Sequence, residues 1–406
     1  MLTYLTGALA ARTGDEMSGP ALLLAGLAIT GSASRAATLL AALTFSAAIG
    51  GPLIGLLLDR ATRPGLFLAA ALALYATALA VILTGLGHLP MPVTVAVALL
   101  AGLLGPALSG GWTSQLPRVV TPAALPRANA LDAMTFDLAA LTGPALAGLV
   151  ADLFGAPISV AASIALICIA LPAAWKLPRI HDPARVDASF TPRTDLMAGL
   201  RAITAAPSLA RATAVSMVSM FGTGMLVTCT PRLGQQVLGG AGHGTVLLSA
   251  AAAGGLAANA ALSRRPDLIR PDTLVGVSTL LSGAAYLVAA TCRPVPLLTA
   301  AVLLGAAEGP QLTALFAIRH REAPERVRGQ VFTTGASLKT TAFSLGAALA
   351  GALATFQLPI ALLTAAGLQA SAAILFVLLR RDRPPLPEAQ AALTGHLIRR
   401  VRRPTK

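Results

Sequence analysis

Apolar runs long enough to cross a bilayer, each ended by a short polar loop, leave this chain few folds to choose from. Such runs cover roughly 2–30, 36–58, 65–87, 91–115, 128–151, 155–175, 209–231, 243–263, 273–291, 295–317, 329–354 and 358–379. About 20 apolar residues in a helix span the hydrocarbon core, where the backbone must satisfy its own hydrogen bonds. A barrel would show alternating strands, and these runs do not alternate. The expected fold is therefore an all-α membrane protein with twelve transmembrane helices. A mean hydropathy of +0.75 and a charged fraction of 11% exclude an ordinary soluble domain.

An even number of spans puts both termini on one side. Loops on that side hold Arg60 and Arg63, Arg118 and Arg127, the stretch from Lys176 to Arg201, Arg264, Arg265 and Arg270, and Arg319 to Arg328. The opposite loops offer little beyond Arg35, Arg232 and Arg293. The positive-inside rule makes the first side cytoplasmic, in a plasma membrane. The formal charge of +14 thus reads as a topology signal, and no nucleic-acid partner is expected. The preference for Arg over Lys and the abundance of Ala point to a GC-rich bacterial genome. The first run is too long for a signal-peptide core and lacks a basic flank, so no cleavable signal is expected. Cys168, Cys229 and Cys292 fall in or beside separate runs without metal-ligand spacing and read as packing residues; neither metal nor cofactor is expected.

The longest connection, 176–208, divides the chain and is rich in Pro, Arg and Asp, as a linker should be. Leu196, Leu200 and Ile203 recur there at helical spacing, which predicts a short amphipathic helix on the cytoplasmic surface. The expected organisation is a six-helix bundle over 1–175, the linker, a second bundle over 209–380, and a basic tail over 381–406 that includes Arg399, Arg400, Arg402 and Arg403. The halves repeat: Leu141 to Gly148 (LTGPALAG) aligns with Ser344 to Gly351 (SLGAALAG), and Gly105-Pro106 with Gly309-Pro310, at nearly one offset. Two matches in corresponding spans point to a 6+6 duplication, hence two pseudo-symmetric bundles.

Span 2 ends Gly55-Leu-Leu-Leu-Asp59-Arg60-Ala-Thr-Arg63-Pro64. This resembles the G-x-x-x-D-R-x-G-R-R/K signature of the major facilitator superfamily; Gly55, Asp59, Arg60 and Arg63 match, while Thr62 and Pro64 depart from it. The resemblance implies that superfamily's twelve-helix fold over essentially the whole chain. An aspartate at a helix end can face the positive N-terminus of a neighbouring helix, and adjacent arginines can bind carboxylates. By resemblance the neighbour is the start of span 11, near Arg328 and Gly329, and the contact latches the cytoplasmic side shut. In span 5, Gly143-Pro144-Ala-Leu-Ala147-Gly148 is similar to the G-P-x-x-G-G pattern of drug/proton antiporters in that superfamily, although Gly/Ala helix packing accounts for it equally well.

Ionisable residues at membrane depth are costly and mark functional sites by default. Span 1 carries Arg12, Asp15 and Glu16 around Met17; at about 100° per residue Asp15 and Glu16 flank Arg12 by roughly 60° and 40°, on one face. The expectation is that Arg12 neutralises one carboxylate while the other, Glu16 by preference, carries protons. Asp137, Glu308 and Lys339 are further proton-coupling candidates with an equally good reading as structural counter-charges; Asp132 is placed at the cytoplasmic boundary. Spans 3, 6, 9 and 12 have no charge in their interiors, which matches the lipid-facing periphery implied by the resemblance. The resemblance also assigns spans 1, 4, 7 and 10 to a central cavity. Cavity candidates are Met17, Trp112, Gln115, Phe136, Met217, Met220, Phe221, Met225 and Phe343, since Met- and aromatic-rich surfaces adapt to varied apolar ligands, though each also suits plain packing.

The leading expectation is a monomeric secondary transporter that exports a small, partly lipophilic substrate in exchange for protons. Proton-coupled uptake of a metabolite uses the same physics, and a membrane receptor or sensor is the alternative from another class. An enzyme is not expected: His88, His181, His243, His320 and His396 are assigned to loops, boundaries or the tail, and no HExxH, GxSxG or GxGD arrangement occurs. The chain also lacks a G-x-x-x-x-G-K-[ST] loop, so an ion gradient is the expected energy source.

Overall fold

The computed structural model describes residues 1–179, 195–354 and 357–378, and the basic tail lies outside the described residues. Twelve long helices follow one another: α1 (Leu2–Thr30), α2 (Ala33–Arg60), α3 (Pro64–Gly85), α4 (Met91–Pro106), α5 (Leu125–Phe154), α6 (Ala156–Trp175), α7 (Pro207–Val237), α8 (Thr245–Arg264), α9 (Pro271–Ala289), α10 (Pro294–Glu322), α11 (Arg328–Ala354) and α12 (Leu358–Leu378). Ten of them are long and apolar enough to cross a membrane on their own composition. The other two are the polar ones, α1 with its three charges and α11 with Gln330, Thr333, Ser337 and Lys339.

Local chemistry sets many of the ends. Pro64, Pro207, Pro271 and Pro294 open their helices, where the missing N–H costs nothing and the fixed φ is already helical. Gly31 closes α1 at φ 63°, a left-handed cap that suits glycine.

Packing repeats between the halves. In the first, α1 lies against α5 and α6, α2 against α4, and α3 against α4 and α6; in the second, α7 lies against α11 and α12, α8 against α10, and α9 against α10 and α12. The aligned glycines perform the same task. A side chain at Gly143 would collide with α1 at Glu16, and one at Gly346 would collide with the α7 backbone at Phe221. Without a Cβ the helix axes approach closely, which stands in for the hydrophobic drive that lipid does not supply.

The repeat fails in α4, which passes at Ala107–Gly111 into a π-helical turn, whereas α10 continues unbroken past Pro310. Among the described linker residues a short helix forms at Ala198–Ala205, with Gly199 and Ile203 buried against the rest of the protein and Leu200 exposed, and it packs on α11.

Candidate functional site

Between the halves lies a cavity of about 370 Å³, walled by α1, α2, α3, α4, α7 and α11. Its polar wall is Asp15, Glu16, Ser18 and Tyr75; across from them stand Met220 and Phe343. Tyr75 on α3 donates to Asp15 Oδ1 at 2.8 Å, and its hydroxyl lies 2.9 Å from Ser18 Oγ. Glu16 is exposed to the cavity and makes no side-chain hydrogen bond among the described residues. The two neighbouring carboxylates are therefore unlike, one held in place and one free. α2, α3 and α11 contribute to this wall beside the expected α1, α4 and α7, and no α10 residue lines it.

Arg12 does not neutralise either of them. Its Nη1 lies 3.0 Å from Asp132 Oδ1 and bonds Thr135, its Nη2 donates to Thr113 at 2.8 Å, and its guanidinium sits 3.6 Å over the Phe136 ring. Asp132 is fully buried, in a helix that begins at Leu125, about a turn earlier than its hydropathy suggests. The ion pair joins α1 to α5, with Thr113 donating to Asp132 Oδ2 at 2.8 Å from the end of α4.

A second polar group sits between α5 and the second half. Asn259 on α8 donates to Asp137 at 2.8 Å and accepts from Thr313 on α10 at 2.8 Å. Thr223 on α7 donates to Glu308 at 2.8 Å, and the charge of Lys339 acts on both Asp137 and Glu308.

Contacts between the halves cluster at the end of the bundle that carries Met1. Asp59 accepts from the backbone N–H groups of Gly329 at 2.7 Å and Gln330 at 2.8 Å, at the N-terminus of α11 where the helix leaves donors unsatisfied. Arg60 pairs with Asp195 of the linker, and Arg63 is exposed at the start of α3. Above this, α2 and α11 meet along a seam without bulky side chains. Ser337 donates to the Ala47 carbonyl at 2.7 Å and accepts from Gly51 N at 2.9 Å; Thr333 donates to the Gly51 carbonyl at 2.7 Å. A Cβ on Gly55 would strike Gln330 and Thr333.

His320 closes the same end from the other side, its ring nitrogens 3.0 Å from Asn129 Oδ1 and 3.2 Å from the Thr113 carbonyl. It lies inside α10, which runs to Glu322, so its assignment to a loop is corrected, as is that of Arg319, which is 2% exposed and packed on Gly335. Beside it, Phe136 meets Phe316 across the halves with tilted rings 5.7 Å apart, and Phe316 in turn packs on Phe332 at 5.9 Å.

A family profile described as Major Facilitator Superfamily matches residues 4–333. The chain belongs to the major facilitator superfamily. The uncharacterized MFS-type transporter y4rN of Sinorhizobium fredii is 30% identical over 329 residues, covering 78% of this chain and 80% of that one. Among solved structures, the human organic anion transporter MFSD10 superposes with a TM-score of 0.76 at 17% identity, over 92% of this chain and 98% of that one. The Escherichia coli fucose:proton symporter FucP gives 0.75 at 14%, over 94% and 98%. A bacterial homologue of the iron transporter ferroportin, in an outward-facing state, gives 0.73 at 16%, over 93% and 98%. This superfamily member is thus a multi-pass transporter and not an enzyme, and its small-molecule substrate crosses the membrane by secondary transport.

Within the superfamily fold, the nine cavity candidates separate. Met220 and Phe343 line the cavity. Met17, Trp112 and Met225 are buried in the cores of the halves instead. Phe136 serves Arg12, Gln115 accepts from Arg118, Phe221 packs on the second core, and Met217 is half-buried outside the lining. Trp112 misses the cavity for a local reason: the extra residue of the π-turn rotates the helix beyond it, and the indole turns onto Tyr4 with ring centroids 6.0 Å apart. In the antiporter-like pattern, Gly143 touches α1, Pro144 is exposed, and Gly148 has nothing within 4 Å of a Cβ.

Proposed function

We propose that this transporter exports a small, partly lipophilic compound in exchange for protons, by alternating access, with Glu16 as the proton carrier. The observation behind the reading is the placement of Glu16, open to the cavity, without a side-chain hydrogen bond among the described residues and facing an adaptable surface of Met220 and Phe343. A carboxylate away from bulk water is costly when ionised and inexpensive when protonated, so its state follows the side to which the cavity opens. Asp15, held by Tyr75, keeps the wall polar and positions α3. With the basic loops cytoplasmic, the closed end is the cytoplasmic one and the cavity faces outward. Asp59 on the α11 N-terminus is then the cytoplasmic latch, supported by Gly55 and Arg60, and the two six-helix halves rock about the cavity as the working units of a monomer. Asp137 and Glu308, sharing Lys339, balance charge between the halves and are the secondary coupling candidates.

The direct test loads inverted membrane vesicles with a panel of lipophilic dyes. Energised accumulation, abolished by a protonophore and lost in Glu16→Gln but retained in Asp15→Asn, is the expected result. Movement undiminished in both variants would remove the coupling role from α1. FucP is named a fucose:proton symporter, and one cavity carboxylate serves uptake equally well; accumulation only in right-side-out vesicles would assign import.

A further inference from the structure

The two halves treat the loop after their second helix differently. In the first, Asp59 and Arg60 are spent on the α11 N-terminus and on Asp195. In the second, Ser263 ends the corresponding helix turn without a carboxylate, and Arg264 and Arg265 are exposed with no partner among the described residues. They stand at the mouth of a separate groove of about 420 Å³ between α8 and α9. Its wall is apolar, formed by Ala258, Leu262, Leu268 and Leu274, with Pro310 of α10 beneath. Leu268 is 69% exposed there.

We infer that this groove holds one anionic phospholipid, its phosphate on Arg264 and Arg265 and an acyl chain along the apolar wall toward Pro310. α8 ends at Arg264 and α9 begins at Pro271, so the mouth lies at the membrane surface and the groove descends from it. Guanidinium groups bind phosphate oxygens through paired donors, and basic residues at that level attract anionic lipid. The nearby acids do not cancel them. Asp272 is engaged by Arg321 at 3.0 Å, and Asp267 is not part of the groove lining. The chain's own tail from 381 onward is strongly basic, so its charge opposes docking at this mouth.

The test is native mass spectrometry of the full chain in detergent, titrated with dioleoyl phosphatidylglycerol or dioleoyl phosphatidylcholine. One tightly retained phosphatidylglycerol is expected, favoured about thirtyfold, as two basic side chains at the surface provide. Arg264→Gln/Arg265→Gln should bring the preference to within about threefold. Ala261→Trp, which keeps both arginines and fills the groove, should weaken phosphatidylglycerol about tenfold. Arg293→Gln, at the opposite membrane face, should change nothing. All four positions are exposed, and unchanged thermal unfolding verifies the fold. An undiminished preference in the double variant overturns the proposal. So does retention unaffected by Ala261→Trp, which would reduce the site to phosphate binding alone, or a dimer whose formation excludes the lipid.

Discussion

Two glycines five residues apart in α5 should respond to alanine in opposite ways. A Cβ on Gly143 would stand 2.6 Å from Glu16 Cβ and 3.0 Å from the Glu16 carbonyl carbon and Met17 N. Ordinary contact begins at 3.4 Å, so α5 must retreat by up to about 0.8 Å or Glu16 must shift, and overpacking of this kind costs about 1–3 kcal/mol. At Gly148 nothing lies within 4 Å. Both substitutions gain the same helix preference, about 0.5–1 kcal/mol. Subtracting one from the other cancels that gain and isolates the packing cost. Gly148→Ala should therefore stabilise slightly and Gly143→Ala should unfold about 1–3 kcal/mol more easily than Gly148→Ala, read by thermal unfolding in detergent. Dye transport should fall in Gly143→Ala alone, since the collision is at Glu16. Equal effects at the two positions, or a larger loss at Gly148, would refute the claim that α5 meets α1 through this glycine.

Three other outcomes follow from contacts already described. Asp59→Asn exchanges an ionised acceptor of two N–H groups for a neutral amide, at a cost of about 1–3 kcal/mol for a half-exposed group, or roughly 5–150-fold in the closed population. Spin labels on Arg63→Cys and Glu325→Cys, both exposed and on opposite halves, should show a longer distance component; an unchanged distribution would exclude a latch. Arg12→Gln leaves the Asp132 carboxylate buried without its partner and should cost about 3–5 kcal/mol, most of it recovered in Arg12→Gln/Asp132→Asn when thermal unfolding of the two is compared. Tyr75→Phe removes the hydrogen bond to Asp15 and should leave stability within about 1.5 kcal/mol and dye accumulation retained, as in Asp15→Asn; accumulation lost as in Glu16→Gln would refute the assignment of the proton to Glu16.

The helices were legible because hydropathy acts within a single element. Charges were harder. Helical spacing places Arg12 beside Asp15 and Glu16 on one face, but it does not say which neighbouring helix each meets, and a guanidinium reaches past its own turn. Arg12 thus found Asp132 on α5, a residue whose depth depended on where α5 starts. Asp59 was readable since its target, a helix N-terminus, is defined by backbone and not by a side chain. Trp112 was not, because a π-turn leaves no hydropathy mark. His320 and Arg319 were hidden by their own polarity, which makes the last turns of α10 look like a loop.

The seam between α2 and α11 has a property that matters when the halves separate. Thr333 already shares its hydroxyl between Gly51 across the seam and Gly329 of its own helix at 2.9 Å. Ser337 has the carbonyl four residues back on α11 available in the same way, as serine and threonine hydroxyls in helices generally do. Each donor therefore has a second acceptor at home. Parting the helices trades one hydrogen bond for another and strands no polar group in lipid or in a dry interface. Under the proposed alternating access a seam built this way is reusable: it can hold the closed state firmly and still be undone at every turnover without a large barrier.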